Sequence, residues 1–346
     1  MEEGNGFTSS RKAEHIRICL EEPVQGVGVT SGFESYRLRH AAFPEMALGE
    51  VRLEASFLGK SLRAPLLISS MTGGTSRAGE INRRLAEAAE DRGWAMGLGS
   101  MRAALEREEL APTFRVRGEA PSIPIVANLG VVQLNYGIGP DDCRRAVELA
   151  EADALVFHAN ALQEVFQPGG DTDFRDLYRR LEEVCRKLDV PVGVKEVGWG
   201  IGGPVARKLA EAGVAFIDAA GAGGTSWSQV EKYRQKDPLY REAAEAFADW
   251  GIPTAECVRE IREALPDIPL IASGGLRNGV DAAKAIALGA DLAGFGRSLL
   301  RDAAEGGDVR GRLERVELEL RAAMFACGAR ELSGLRQPGV LERRLR

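Results

Sequence analysis

The stretch Ile271-Ala272-Ser273-Gly274-Gly275-Leu276, continued by Arg277-Asn278-Gly279 and answered one amphipathic segment later by Gly294-Phe295-Gly296-Arg297, decides the fold. An apolar β-run ends in paired glycines whose backbone N–H groups can close on an anion. A helix opens behind them, and a second strand ends in a Gly-Arg pair able to share the same charge. In an α/β barrel such a cradle forms from the loops after the last two strands, where a nucleotide phosphate sits.

The rest of the chain carries the repeat that this placement requires. Short apolar runs recur at 65–70, 95–99, 123–128, 154–158, 191–196, 215–219, 270–273 and 292–295. Amphipathic stretches at 78–92, 140–150, 173–188, 203–212 and 280–289 alternate with them, and Gly93, Gly213 and Gly289 supply helix stop signals. Single helices between strands mean parallel strands with right-handed crossovers. An open doubly wound sheet shares that grammar. About eight units in roughly 240 residues, with polar residues ending nearly every strand, favour closure into a TIM (β/α)8 barrel. The expected organisation is an N-terminal extension over 1–63 and a barrel with a C-terminal helical segment over 64–346.

Composition sets the remaining bounds. The 346 residues, 45% of them hydrophobic, can bury one elaborated core. A formal charge of −6 argues against non-specific nucleic-acid binding. No apolar run approaches the roughly 18–20 residues of a membrane span, and the opening MEEGNGFTSS lacks a signal peptide, so the expected compartment is the cytoplasm. Five scattered cysteines without C-x-x-C spacing read as buried thiols.

Chemistry in a barrel belongs at the C-terminal ends of its strands. Those ends carry Ser70-Met71-Thr72, Ser100-Met101-Arg102, Asn128, Lys195 and Gly223-Gly224-Thr225. A flat heteroaromatic ring across the mouth needs small residues for close approach, amides and hydroxyls for its polar edge, and a cation where negative charge collects on reduction. Lys195 is placed to be that cation, with Thr72, Ser100 and Asn128 along the ring. Thr225, Gly274, Gly275, Gly296 and Arg297 would hold ribityl and phosphate, so FMN is the economical cofactor. Alone, a Gly-Gly pair is more often a turn and a strand-end lysine more often a solvated charge. Their recurrence at one end of successive strands is hard to explain as turns.

Two further clusters stand out. In Phe157-His158-Ala159-Asn160-Ala161-Leu162-Gln163-Glu164, alternation sends His158 and Asn160 to one face, and the next turn delivers Gln163 and Glu164 to the mouth. Glu164 offers a carboxylate for Mg²⁺ held together with substrate phosphate oxygens, against the plainer reading of an acidic first helical turn. Near the N-terminus, Arg11-Lys12-Ala13-Glu14-His15 is either a solvated charge run or the Arg/Lys/His set that a diphosphate needs.

These residues resemble the FMN-dependent type 2 isopentenyl-diphosphate isomerases from about Arg11 to about Arg301. The resemblance rests on R-K-x-E-H at 11–15, S-M-T-G-G at 70–74, G-S-x-R at 99–102, H-x-N-x-x-Q-E at 158–164, V-K-E-V-G-W-G at 194–200, A-G-G-T-S at 222–226 followed by Glu231-Lys232-Tyr233-Arg234, and S-G-G-x-R-N-G at 273–279. The first and fourth motifs are specific to that family; the glycine motifs are shared by many flavin barrels. The resemblance implies FMN, Mg²⁺ and interconversion of isopentenyl and dimethylallyl diphosphate, with NADPH or another reductant priming the flavin and a homo-oligomeric assembly. It implies that Arg11, Lys12 and Arg102, with His15, bind substrate phosphate. Gln163 would face the allylic end, with His158 and Asn160 beside it, and Glu164 would ligate Mg²⁺. Ser70, Met71, Thr72, Ser100, Asn128, Lys195, Thr225, Gly274, Gly275, Leu276, Gly296 and Arg297 would contact FMN.

The chain departs from the family at Met101, where a glutamine is usual, and at Ala159 and Phe166. A thioether at a substrate contact predicts weaker binding, restored by Met101→Gln. The alternatives are a diverged relative acting on another substrate, a flavin-binding barrel that has lost catalysis or serves as a flavin-linked sensor, and, as the main rival, a flavin oxidoreductase on the same barrel. A 2-hydroxy-acid oxidase wants a histidine base, and an inosinate-type dehydrogenase wants a nucleophilic cysteine after the sixth strand; residues 220–227 contain neither.

Overall fold

A computed structural model describes residues 7–344. The eight predicted runs become β1 (Leu66–Ile68), β2 (Ala95–Gly97), β3 (Ile125–Gly130), β4 (Ala154–His158), β5 (Val192–Lys195), β6 (Phe216–Asp218), β7 (Leu270–Ala272) and β8 (Leu292–Phe295). They pair in parallel and in sequence, and β8 closes on β1 through Ala293 opposite Leu66 and Phe295 opposite Ile68.

The longer helices, in chain order, are α1 (Phe7–Glu21), α2 (Ser76–Arg92), α3 (Pro140–Ala150), α4 (Leu177–Lys187), α5 (Gly203–Glu211), α6 (Trp227–Arg234), α7 (Pro238–Glu245), α8 (Thr254–Ala264), α9 (Gly279–Ala287), α10 (Arg297–Glu305) and α11 (Val309–Ala326). Local chemistry sets several ends. The Thr75 hydroxyl accepts from the N–H of Ala78, starting α2 earlier than its apolar spacing suggests, and Gly93 ends it in the left-handed region. Asn278 caps α9 by accepting from the N–H of Asp281 at 2.9 Å.

The period of two along each strand builds the barrel interior in layers. Leu67, Ala95, Val126, Val156, Phe216, Ile271 and Leu292 form an apolar layer together with Phe57 and Leu62. Two residues further along the same strands stand Ser69, Gly97, Asn128, His158, Asp218, Ser273 and Gly294, with Lys195 at the end of β5. One strand length therefore turns a greasy floor into a polar mouth.

The segment before the barrel is part of the same body. The hairpin 55–57/60–62 plugs the bottom, where Phe57 meets Phe216 edge-on at 5.4 Å. Burying such a ring stabilises by roughly 1.5–3 kcal/mol. Strand 36–38 pairs antiparallel with 341–343, joining the segment before the barrel to the last described strand. Helix α1 docks against α6 and α10 at the opposite, open end. Its last carbonyls, Cys19 and Leu20, accept from the Arg297 Nε at 3.0 Å and the Arg301 Nη2 at 2.6 Å, so arginines of α10 cap it.

Cys19, Cys143 and Cys257 are buried as expected, whereas Cys185 and Cys327 are partly exposed; none is in a disulfide.

Candidate active site

A cavity of about 580 Å³ opens at the C-terminal ends of the strands under α1. It is lined by Arg11, Lys12, His15, Ser70, Met71, Thr72, Ser100, Arg102, Asn128, His158, Asn160, Gln163, Glu164, Lys195, Thr225, Gly274, Gly275, Leu276, Gly296 and Arg297. Every residue anticipated at the site except Met101 thus borders one space.

Met101 requires a correction. It is fully buried in the core between barrel and helices and does not line the cavity. Its N–H donates to the Asn128 carbonyl at 2.8 Å, and it precedes the helical turn 102–106, so its side chain leaves the mouth as the strand alternation ends. Met101→Gln would bury an amide rather than restore a substrate contact. Phe166 likewise packs away from the space, its ring 5.3 Å from that of Phe247.

At one end the backbone forms a tight cradle. Gly274 and Gly275 have φ of 104° and 76°, and a Cβ on Gly275 would lie 2.5 Å from the Gly223 carbonyl carbon. The two glycine loops can approach only without side chains. Beside them, Ser69 Oγ and Arg297 Nη1 are buried and have no hydrogen-bond partner among the described residues. A buried guanidinium N–H left unpaired is costly, so this corner fits an anion such as the FMN phosphate. Arg297→Ala is expected to weaken FMN retention by roughly ten- to a hundredfold, the worth of a charge-assisted bond. Equal flavin content after gel filtration of both proteins would count against it.

Across the floor, Lys195 and Asp218 are register partners on β5 and β6. The Lys195 ammonium donates to the Glu196 carbonyl at 2.5 Å, and the Ser273 hydroxyl donates to Asp218 at 2.6 Å. Burial pushes the Asp218 carboxyl up, with the Lys195 charge opposing. His158 Nδ1 lies 2.7 Å from Asn128 Oδ1. Burial, reinforced by the cations Lys195, Lys12 and Arg11, drives its pKa to about 3. The imidazole is therefore neutral, with Nδ1–H donating to the amide oxygen.

The roof and far wall are built by α1, α6 and the helical turn 161–166. His15 Nε2 and Gln163 Nε2 both donate to Glu231 Oε1, at 2.9 and 3.0 Å, and Arg234 Nη1 holds Oε2 at 2.5 Å. Burial would raise the Glu231 carboxyl, but His15, Arg234 and Gln163 reverse this and hold it at about 2. Burial lowers the His15 pKa against the opposing pull of Glu231, and the ring stands edge-on to Trp227 at 5.0 Å. Asn160 Nδ2 donates to Gln163 Oε1 at 3.2 Å and to Glu164 Oε1 at 2.8 Å, fixing the rotamer of each. Glu231, Trp227 and Asp218 carry no role in the sequence reading, although Glu231 falls within a quoted motif and Asp218 is an acid at an inward strand position.

Lys12 donates to the Ser100 carbonyl at 2.8 Å and lies over the Phe114 ring, 5.0 Å from its centroid. Burial and then the neighbouring Arg11 charge lower its pKa to about 7. An anion at this wall binds the protonated lysine, so affinity for a diphosphate is expected to fall as pH rises through about 7. Arg11→Gln should move that midpoint upward, because it removes a cation that disfavours the ammonium. Titration of pyrophosphate affinity from pH 6 to 9 checks both, and a flat profile would contradict the assignment.

Among the described residues no cluster of three or more His, Cys, Asp or Glu is arranged to hold a metal ion, and no helix is long and apolar enough to cross a membrane. One cavity carboxylate, Glu164, fits a divalent ion brought in by a phosphorylated ligand, the usual manner of Mg²⁺.

The barrel and its glycine-lined mouth define the broader class. Residues 144–342 match the FMN-dependent dehydrogenase family. Solved structures of mandelate oxidase variants share the fold: one superposes with a TM-score of 0.65 at 20% identity, over 98% of this chain and 99% of that one. The particular family is narrower. The isopentenyl-diphosphate delta-isomerase of Oceanobacillus iheyensis is 53% identical, with 95% of this chain and 94% of that protein aligned, and the one from a Nostoc species is 51% identical over 97% and 96%. The chain belongs to the isopentenyl-diphosphate delta-isomerase family.

Proposed function

We propose that this chain interconverts isopentenyl and dimethylallyl diphosphate by a 1,3-allylic proton shift, using FMN kept reduced by NADPH or another reductant, and Mg²⁺ that arrives with the substrate. The reading includes a cytoplasmic homo-oligomer. The observation that carries it is the meeting, in one cavity, of a glycine–arginine anion cradle with a second, separate set of cations, Arg11, Lys12 and Arg102, beside the single acid Glu164.

Gly274, Gly275, Leu276, Gly296, Arg297 and Thr225 would hold the ribityl phosphate of FMN, Ser70, Met71, Thr72, Ser100 and Asn128 its ring, and Lys195 its anionic edge. Reduced FMN supplies an exchangeable proton beside an electron-rich ring, a suitable acid and base for an unactivated alkene. The chain does the rest by orientation. Arg11, Lys12, His15 and Arg102 bind the diphosphate, and Glu164 meets its metal. Gln163, pinned between Asn160 and Glu231, presents a fixed amide to the hydrocarbon end, and the Glu231 carboxylate behind it favours positive charge building there. Neutral His158 and Asn160 supply further fixed dipoles. Helix α1, capped by Arg297 and Arg301, roofs the site against water.

The test is an absorption spectrum of the purified protein, then anaerobic reduction and a product assay with isopentenyl diphosphate. Flavin-dependent formation of dimethylallyl diphosphate, with reductant needed to prime but not consumed in step, is the expected result. A reduced, flavin-replete protein inert on this substrate would overturn the reading.

A further inference from the structure

Three cavity residues from three different strand ends converge on one residue that does not itself line the cavity, two of them on its side chain and one on its backbone N–H. Arg102, after β2, donates through Nη1 to Asp171 Oδ2 at 2.8 Å. Gln133, after β3, donates through Nε2 to the same oxygen at 2.9 Å. The Asp171 N–H donates in turn to Glu164 Oε2 at 2.8 Å, an oxygen that also accepts from Gln167 Nε2 at 2.9 Å. Gly170 permits this approach, since a Cβ there would lie 2.0 Å from the Glu164 carbonyl oxygen. The second acid on Arg102, Glu106, is more exposed and touches neither Gln133 nor Glu164.

We propose that Asp171 is a positioning and selectivity residue that locks the Arg102 and Gln133 side chains to the Glu164 carboxylate, so that the site favours a diphosphate carrying its divalent cation over the metal-free anion. The inference rests on the diphosphate reading above. Two physical effects act together. Holding a long guanidinium and an amide in place before binding removes an ordering cost of each side chain. The Asp171 charge beside Glu164 repels a bare diphosphate, and a divalent ion reverses that repulsion. A bond from the Asp171 backbone, rather than its side chain, holds Glu164, so changing the carboxylate leaves the metal-facing acid in place.

The experiment is calorimetric titration of the FMN-loaded protein with inorganic pyrophosphate, with and without Mg²⁺, for wild type, Asp171→Asn and Glu106→Gln. Wild type is expected to prefer the Mg²⁺ form. Asp171→Asn should reduce that preference about tenfold, by gaining affinity for the metal-free anion as well as losing some for the metal-loaded one, while flavin content stays normal; Glu106→Gln should keep it within about twofold. In turnover, Asp171→Asn should raise KM for the diphosphate and leave kcat nearly unchanged, a split that general loosening of the fold does not produce. A preference in Asp171→Asn equal to wild type overturns the inference alone. Wild type that binds neither form of pyrophosphate overturns the diphosphate reading and this inference with it.

Discussion

Glu231→Gln is expected to slow isomerisation by about a hundredfold, the usual worth of a preorganised group that stabilises charge in the transition state, with FMN still bound. The reason is a count of donors. Oε1 of Glu231 accepts from both His15 and Gln163, and Oε2 accepts from Arg234. A glutamine has one oxygen. If that oxygen faces Arg234, its NH₂ group meets two donors; if it faces His15 and Gln163, the NH₂ group meets the guanidinium. Either arrangement sets donor against donor in a side chain with no exposure, at a cost of about 1–3 kcal/mol. The least costly relief turns the Gln163 amide over, which breaks its bond from Asn160 and presents the wrong edge to the cavity. The checks are kcat, the flavin spectrum and a thermal melt. Activity within tenfold of wild type would show that Gln163 does not depend on Glu231.

The same residue shows where reading the sequence stops. The barrel was legible because each strand is a short apolar run and each helix repeats its buried face every three or four residues. The cavity wall was legible for the same reason, since inward positions such as Val126 and Asn128, or Val156 and His158, lie two apart on one strand. Alternation fails where strands end. Met101 follows β2 in a turn into a helix, and no period says that its side chain enters the core. Glu231 fails for another reason: its partners His15 and Gln163 are 216 and 68 positions away, and only closure of the barrel brings α1, the turn 161–166 and α6 together. The β6–β7 connection is a plainer miss. In α8, Ala255, Val258 and Ile261 stand three apart and are buried, a helical signal that lies outside the five amphipathic stretches read from the sequence. Residues 11–15, open in the sequence between a solvated run and a binding set, are carried to the cavity wall by the helix Phe7–Glu21, whose end is capped by Arg297 and Arg301.

Lys195→Met is expected to act twice, once on the flavin and once on the fold, and the two effects can be separated. Lys195 contributes a buried cation at the floor of the cavity, and with the anionic reduced flavin bound beside it as proposed, removing the charge should lower the midpoint potential. A charge-assisted interaction of about 1.5–3 kcal/mol corresponds to roughly 30–60 mV for a two-electron couple. The fold suffers because Asp218, its register partner, stays buried with only the Ser273 hydroxyl and the Ala220 N–H, at 3.3 Å, to receive it. Lys195 does not ion-pair with Asp218, its Nζ donating instead to the Glu196 carbonyl, but its charge offsets the burial of that carboxyl, and removing it costs about 1–3 kcal/mol. Burial already raises the Asp218 carboxyl, and without the lysine it rises further. The folded state then binds the proton more tightly than the unfolded chain, so stability of the single variant falls as pH rises above the ordinary carboxylate range and returns on acidification. Lys195→Met with Asp218→Asn removes both charges and should recover most of the melting temperature, without the pH dependence, while the potential stays low. Recovery of the potential in the double variant would mean that the aspartate, not the lysine, sets it; a single variant as stable as wild type at pH 8 would mean that the two charges do not interact.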